Sequence, residues 1–239
     1  MRDQGLLERA VATAQVFVND LNSLELTKTD IHHLFAVRRV RDGEIIVASD
    51  GLGSWRMTTA NGQALEATGP ICFEPEPDPP LTVAFAPVKG DRNDWAVTKL
   101  TELGCDRIVA LETDRSVVRW GSDAGERSLS RWSRLAHEAC CQSRRVRIPT
   151  IDGPVSLATF IGSNAILGVP GAAVLSAGSH TVLVGPEGGW SEAELALGFT
   201  EATLGTQILR TETAAVAAGV LLGALRAGTV ASMEKRDPS

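Results

Sequence analysis

Apolar residues follow two rhythms along this chain, and the change from one to the other falls at residues 74–80. From about residue 14 to 73 they form short β-type runs separated by turn residues: VFV at 16–18, EIIVASDG at 44–51 and SWRMTT at 54–59, with ANG following at 60–62. Such a pattern predicts a small β-rich domain. One helical interruption is expected, because Asp30 can cap the segment IHHLFAVRRV, in which Ile31, Leu34 and Val37 recur at helical spacing. The other face of that helix carries His32, Arg38 and Arg39.

The stretch EPEPDPP at 74–80 holds too many prolines for regular structure, since each fixes φ and removes an amide donor. The expected organisation is a first domain over 1–74, a linker over 75–80 and a second domain over 81–239. Beyond the linker the apolar runs become continuous and alternate with helical segments. They are LTVAFAPV (81–88), a helix near 92–103, RIVAL (107–111), a helix near 126–142, AILGV (165–169) and TVLVG (181–185), then a helix from Ser191 and a final one near 212–227. Strands that are apolar throughout, rather than at every second position, are buried on both faces. This half is therefore expected to be an α/β domain built on a parallel sheet.

Composition narrows the class. Apolar residues make up 44% of the chain, and no stretch approaches the roughly 18 successive apolar residues of a membrane span. The opening MRDQGLLERA contains acids and lacks a basic segment followed by an apolar run, so it does not read as a secretory signal. A soluble, cytoplasmic protein is expected. The four cysteines, with Cys140 and Cys141 adjacent, show neither paired C-x-x-C spacing nor a disulfide framework, and the histidines show no H-x-x-x-H spacing. Reduced thiols and no metal follow.

A net charge of −6 argues against nucleic acid as a partner, but the distribution of positive charge changes that picture. Arg127, Arg131 and Arg134 share one helical face opposite Leu129, Trp132, Leu135 and Ala139, and Arg144, Arg145 and Arg147 follow. Six arginines in 21 residues form a patch suited to phosphate, or a solvated surface.

Two stretches could carry chemistry. LVGPEGGWSEAE (183–194) runs a strand into a glycine-rich turn, where Gly185, Gly188 and Gly189 allow close approach of backbone to a ligand and Ser191 with Glu194 forms a capping box. It reads either as a ligand cradle or as a tight turn. It is neither G-x-G-x-x-G nor a P-loop, so NAD and ATP are not indicated. LGTQILRTETAAVAAGVLLGAL (204–225) starts a helix that Thr211 or Thr213 can cap, with Arg210 and Glu212 beside its start and a small-residue face for close packing.

Several stretches taken in order resemble the ribosomal RNA small subunit methyltransferase E family, which makes 3-methyluridine in 16S ribosomal RNA. They are HHLFAVRRVRDGE (32–44), KGDRNDWAVTKLTELGCDRI (89–108), ETDRSV (112–117), RW (131–132), EACCQSRRVRIP (138–149), LVGPEGGWSEAE and LGTQILRTETA (204–214). The resemblance spans about residues 31–227 and weakens over the first 30, and the polar tail after about residue 228 is expected to fray. It implies a PUA-like β-barrel followed by a SPOUT domain whose C-terminal third forms a trefoil knot, a homodimer, and S-adenosylmethionine bound in the knot. The implied cofactor residues are Leu167, Gly168, Val184, Gly185, Pro186, Gly188, Gly189, Leu204, Gly205, Ile208, Leu209, Thr211 and Ala214. Arg210 is the implied stabiliser of the uridine anion and Glu187 a proton acceptor or sulfonium partner. His33, Arg39, Arg115, Gln142, Arg144 and Arg145 are the implied contacts to RNA of the small ribosomal subunit. Three other readings compete: a SPOUT enzyme acting on another ribosomal or transfer RNA nucleotide, a non-catalytic assembly factor, and a nucleotide-dependent α/β enzyme, which would need a phosphate loop this chain lacks.

Overall fold

The computed structural model describes residues 2–118, 120 and 122–230, so the tail beyond 230 lies outside the described residues. The chain divides into two compact units. One comprises the chain up to Glu76 together with His137–Ile148, and the other comprises Pro77–Ala136 and the chain from Pro149 onward.

In the first unit, helix α1 (Arg2–Ala10) precedes strands β1 (Ala14–Phe17), β2 (Ile45–Ser49), β3 (Ser54–Asn61), β4 (Ala64–Ala67) and β5 (Cys72–Phe73). The sheet order is β1-β2-β3-β4 with β5 also on β3; β1 and β2 run parallel and the remaining pairs antiparallel. Ala14, Val16, Ile46, Ala48 and Leu34 form its core. The helical interruption starts earlier than expected. Thr27, not Asp30, is the cap: its hydroxyl accepts from the Asp30 amide while the Asp30 carboxylate accepts from the Thr27 amide, and α2 (Lys28–Ile31) then widens into a π-helical turn over His32–Val37. Asp30 thus serves as the third helical residue of a capping box.

Residues 137–148 follow the proline-rich segment in sequence yet pack with this first unit. Gln15 donates to the Arg145 carbonyl at 2.6 Å, and the Arg144 guanidinium donates to the carbonyls of Ala12 and Thr13 at 2.8 and 3.1 Å. Burial pushes the Cys140 and Cys141 thiols up to about 11 and about 12, so both stay protonated and unreactive at neutral pH.

The second unit contains β6 (Thr82–Phe85), α3 (Arg92–Glu102), β7 (Arg107–Glu112), the first part of α4 (Ser122–Ser143), β8 (Thr150–Ser156), β9 (Ala165–Gly168), β10 (Thr181–Val184), α5 (Glu192–Leu195), β11 (Thr200–Ala202) and α6 (Thr211–Ala227). Its six strands are all parallel, in the order β11-β9-β10-β6-β7-β8. Alternate strand residues feed two cores. Val83, Phe85 and Ile108 join Leu100 of α3 and Leu222 of α6 on one face, while Ala84, Val109, Leu167 and Leu183 meet Phe160 and Trp190 on the other. Burial on both faces accounts for the continuous apolar runs.

From β6 the chain builds outward through β7 and β8, then returns to place β9 and β10 on the opposite side of β6. The strand order therefore reverses between β10 and β6. A small opening lined by Pro87, Val88, Pro186 and Glu187 lies there, at the carboxyl ends of the strands, the side on which open parallel sheets bind ligands.

Candidate functional site

Three loops meet beyond the ends of β9 and β10. Gly185 follows β10 directly, and a Cβ placed on it would lie 3.0 Å from the Trp190 indole. The same indole donates through Nε1 to the Gly168 carbonyl at 3.0 Å, tying the turn after β10 to the end of β9. Gly168 lacks a side chain for a like reason: its Cβ would come within 2.8 Å of the Leu204 side chain. Thr211, at the start of α6, donates its hydroxyl to the Gly185 carbonyl at 3.1 Å. The sequence expectation that Thr211 or Thr213 caps α6 is corrected here: Arg210 occupies the cap position without a side-chain hydrogen bond, and the Thr211 hydroxyl holds the glycine turn instead.

The glycine turn is fixed from its other side as well. Gly189 takes φ of 69° and donates to the Pro186 carbonyl at 2.9 Å. Arg115 donates to the Gly188 carbonyl at 3.0 Å. The Ser191 and Glu194 capping box forms as expected, although α5 is a single turn, and Glu194 also accepts from the Asp114 amide at 2.9 Å.

These loops enclose a cleft of about 140 Å³ lined by Gly168, Val184, Gly185, Pro186, Glu187, Gly189, Leu204, Gly205, Ile208, Leu209, Thr211 and Ala214. Of the residues expected at a cofactor site, Leu167 is buried behind it in the sheet and Gly188 turns toward Arg115. Val169, Pro170, Trp190 and Thr203 also line it and were missed. A tryptophan directly after a glycine pair was the available signal. Successive amides from Leu204 to Leu209 donate no hydrogen bond among the described residues, which leaves a run of donors along one rim.

Arg92, on the first turn of α3, joins the two walls. Its Nη1 lies 3.1 Å from Glu187 on the glycine turn and 3.2 Å from Glu212 on α6, which is only 8% exposed. The hydrogen bond to Glu187, then that to Glu212, raises the guanidinium pKa above its ordinary value. Arg210 is exposed and does not line the cleft. In the first unit, His33, Arg39 and Gln142 are exposed, Arg39 with φ of 57°, whereas Arg144 commits its guanidinium to backbone carbonyls. The Arg145 carbonyl accepts from Gln15. Of the arginine face on α4, Arg127, Arg131 and Arg134 are all exposed, and Arg131 pairs with Asp94. Among the described residues no cluster of His, Cys, Asp and Glu suits a metal ion.

An all-parallel sheet with a glycine-built cleft beyond the carboxyl ends of β9 and β10 agrees with the family comparison: residues 74–223 match the RNA methyltransferase domain and residues 26–59 the RNA methyltransferase PUA domain. Ribosomal RNA small subunit methyltransferase E of Mycobacterium bovis is 34% identical over 217 residues, covering 81% of this chain and 83% of that protein. A crystal structure of ribosomal RNA small subunit methyltransferase E from Neisseria gonorrhoeae bound to S-adenosyl methionine aligns with a TM-score of 0.70 at 29% identity, covering 89% of this chain and 97% of that one. A methyltransferase candidate from Legionella pneumophila in complex with bound S-adenosylmethionine aligns with a TM-score of 0.74 at 25% identity, covering 88% and 96%. The chain belongs to the ribosomal RNA small subunit methyltransferase E family.

Proposed function

We propose that this chain transfers the methyl group of S-adenosylmethionine to N3 of a uridine in 16S ribosomal RNA, with the C-terminal segment threaded as a trefoil knot around the cofactor site. The observation that carries the reading is the convergence of the loops after β9, β10 and β11 on one cleft, in a chain of this family. The cleft fits the cofactor. Gly168 and Gly185 leave space that a Cβ would fill, Val184, Leu204, Leu209 and Ala214 offer apolar walls, and the amides of 204–209 offer donors to a heterocycle. Its enclosed volume of about 140 Å³ is below the roughly 300–1,000 Å³ of a whole ligand site, so it would hold only part of the cofactor.

When bound, the cofactor supplies a methyl group on a positively charged sulfur. The protein supplies alignment and electrostatics. N3 of neutral uridine carries a proton, and the anion left by its removal spreads charge to O2 and O4. Arg210, exposed at the start of α6, is assigned to that charge. Glu187 is the acceptor assigned to the proton; Arg92 holds its carboxylate beside the cleft. Arg115 positions the glycine turn through the Gly188 carbonyl. His33, Arg39, Gln142 and Arg145 are assigned to RNA, and Arg144 is withdrawn from that group by its backbone contacts.

We further place the enzyme in the cytoplasm, where ribosomal subunits are made, as a homodimer. Trp95 of α3 and Val220 of α6 are 47% and 46% exposed, and two such helices supply apolar surface for a second copy. No helix among the described residues is long and apolar enough to cross a membrane. The test is transfer of radiolabelled methyl to purified small subunits lacking the modification, with nucleoside analysis. Label in 3-methyluridine supports the reading; label in another nucleoside assigns a different target, and absence of cofactor binding overturns it in favour of an assembly factor.

A further inference from the structure

The cofactor cleft continues beyond Glu187. Pro186 and Glu187 also line a small opening of about 70 Å³ with Pro87, Val88, Lys89 and Arg92, at the point where strand order reverses between β10 and β6. Val88 and Lys89 in turn line a larger cleft of about 410 Å³, bounded by Asp91, Asp94, Trp120, Arg131 and Trp132. Its size falls within the roughly 300–1,000 Å³ usual for small-ligand sites.

We propose that this second cleft receives the target pyrimidine, turned out of its RNA stack, with Trp120 as the stacking surface and Lys89 as donor to a ring carbonyl. The inference rests on the methyltransferase reading above and names where its substrate base lies. An enzyme that alkylates a ring nitrogen must take the base out of its stack and needs a pocket open toward the donor. This cleft shares Val88 and Lys89 with the opening that Glu187 lines, so a base seated in it would turn its N3 edge to Glu187 through that opening. The charge balance of this cleft selects for the base. Two cations, Lys89 and Arg131, face two carboxylates, Asp91 and Asp94, and Arg131 is already paired with Asp94. A nearly neutral cleft with an aromatic wall suits an uncharged heterocycle better than a phosphate.

The walls are pre-set. Trp120 is half-buried and meets Trp132 edge-on at 5.2 Å, and Trp132 stacks on Phe85 at 5.2 Å, so the outer indole is held by the core. The loop carrying Lys89 is pinned by Asn93, whose side-chain oxygen accepts from the Val88 amide at 2.8 Å and whose nitrogen donates to the Val88 carbonyl at 2.7 Å. Lys89 itself is exposed and makes no hydrogen bond or ion pair among the described residues, which leaves its ammonium available to O2 or O4.

The test compares the full-length protein with Lys89→Met, Trp120→Phe and Trp120→Ala. Three quantities are measured: binding of unmodified small subunits by filter retention, methyl transfer to them, and cofactor affinity by equilibrium dialysis. Lys89→Met should raise KM and Kd for subunits about tenfold, the loss expected for a charged hydrogen bond, with cofactor Kd within about twofold. Trp120→Ala should act in the same sense by about fivefold or more, from lost stacking, and Trp120→Phe should recover most of it. Unchanged subunit binding and KM in Lys89→Met overturns the proposal, as does a change in cofactor Kd that matches the change in KM. If the wild type binds subunits but transfers no methyl, the methyltransferase reading fails, while the binding of Lys89→Met still decides the cleft.

Discussion

Arg92 and Glu187 meet at 3.1 Å across the point where the strand order of the parallel sheet reverses, and the same guanidinium reaches Glu212 at 3.2 Å. One side chain thus links α3, the glycine turn and the first turn of α6. Glu212 is almost fully buried, and a buried carboxylate needs a countercharge. Replacing Arg92 by Ala should lower the thermal midpoint and weaken cofactor binding by about tenfold or more, through a turn that is no longer anchored. Arg92→Lys keeps the charge but not the fork, so it should recover stability more than affinity. Calorimetry of both variants, with and without cofactor, checks this; wild-type affinity in Arg92→Ala would remove the clamp from the argument.

Gly185 shows how the absence of a side chain shapes the cleft. An alanine there would place Cβ 3.0–3.2 Å from three atoms of the Trp190 ring. That ring cannot swing away without losing its bond to the Gly168 carbonyl. Gly185→Ala should therefore cost about 1–3 kcal/mol of stability by overpacking. It should also reduce cofactor affinity by about tenfold while leaving far-UV circular dichroism unchanged. Titration calorimetry reads the affinity directly, and a fully competent variant would show that the indole is not a wall of the site.

Legibility in the sequence followed burial. Strands β6, β7, β9 and β10 were readable because both faces are covered, so each holds an unbroken apolar run. β8, TIDGPVS, is an edge strand with exposed and half-exposed positions and a register shift opposite Val109 and Leu111, so no apolar run marks it. β11 is three residues, TEA, and offers no pattern at all. In the site, the glycine turn and the start of α6 were visible as local motifs, but their joints were not. The partners of Arg92 lie 95 and 120 residues away, beyond any spacing rule. The return of 137–148 to the first unit is likewise a long-range pairing, made by Gln15 with a backbone carbonyl 130 residues on.

His137 packs against Phe17 with ring centroids 4.6 Å apart. Burial lowers its pKa below the ordinary histidine value, against the opposing pull of Asp30 and Glu138. The fold thus prefers the neutral ring. Below the ordinary value the unfolded chain binds a proton that the folded chain resists, so stability is lost as pH falls from the unfolded pKa toward the lower folded one. Urea midpoints should fall between about pH 7 and pH 5, and the fall should be shallower in His137→Phe, which keeps the ring packing. Parallel curves for the two proteins would show that His137 does not contribute.

Arg210 separates binding from chemistry more cleanly than any other residue near the cleft. Its backbone caps α6, its side chain is exposed, and it contributes no wall to the cofactor cleft. Truncating it should leave the fold and the cofactor site intact, because the helix start is held by Thr211 on the Gly185 carbonyl rather than by the arginine side chain. A cation that acts only on charge developing in the uracil ring contributes to the transition state and not to cofactor binding. Arg210→Ala should therefore lower kcat by roughly 100-fold to 1,000-fold, the usual loss when one such stabiliser is removed, with cofactor Kd and thermal midpoint unchanged. Raising the pH should restore part of the lost rate, since uridine then supplies its own anion. Single-turnover methyl transfer at saturating cofactor, followed across pH, measures both effects, and turnover equal to wild type would leave the anion to be stabilised by another group, for which Lys89, at the opening that Glu187 also lines, is the candidate.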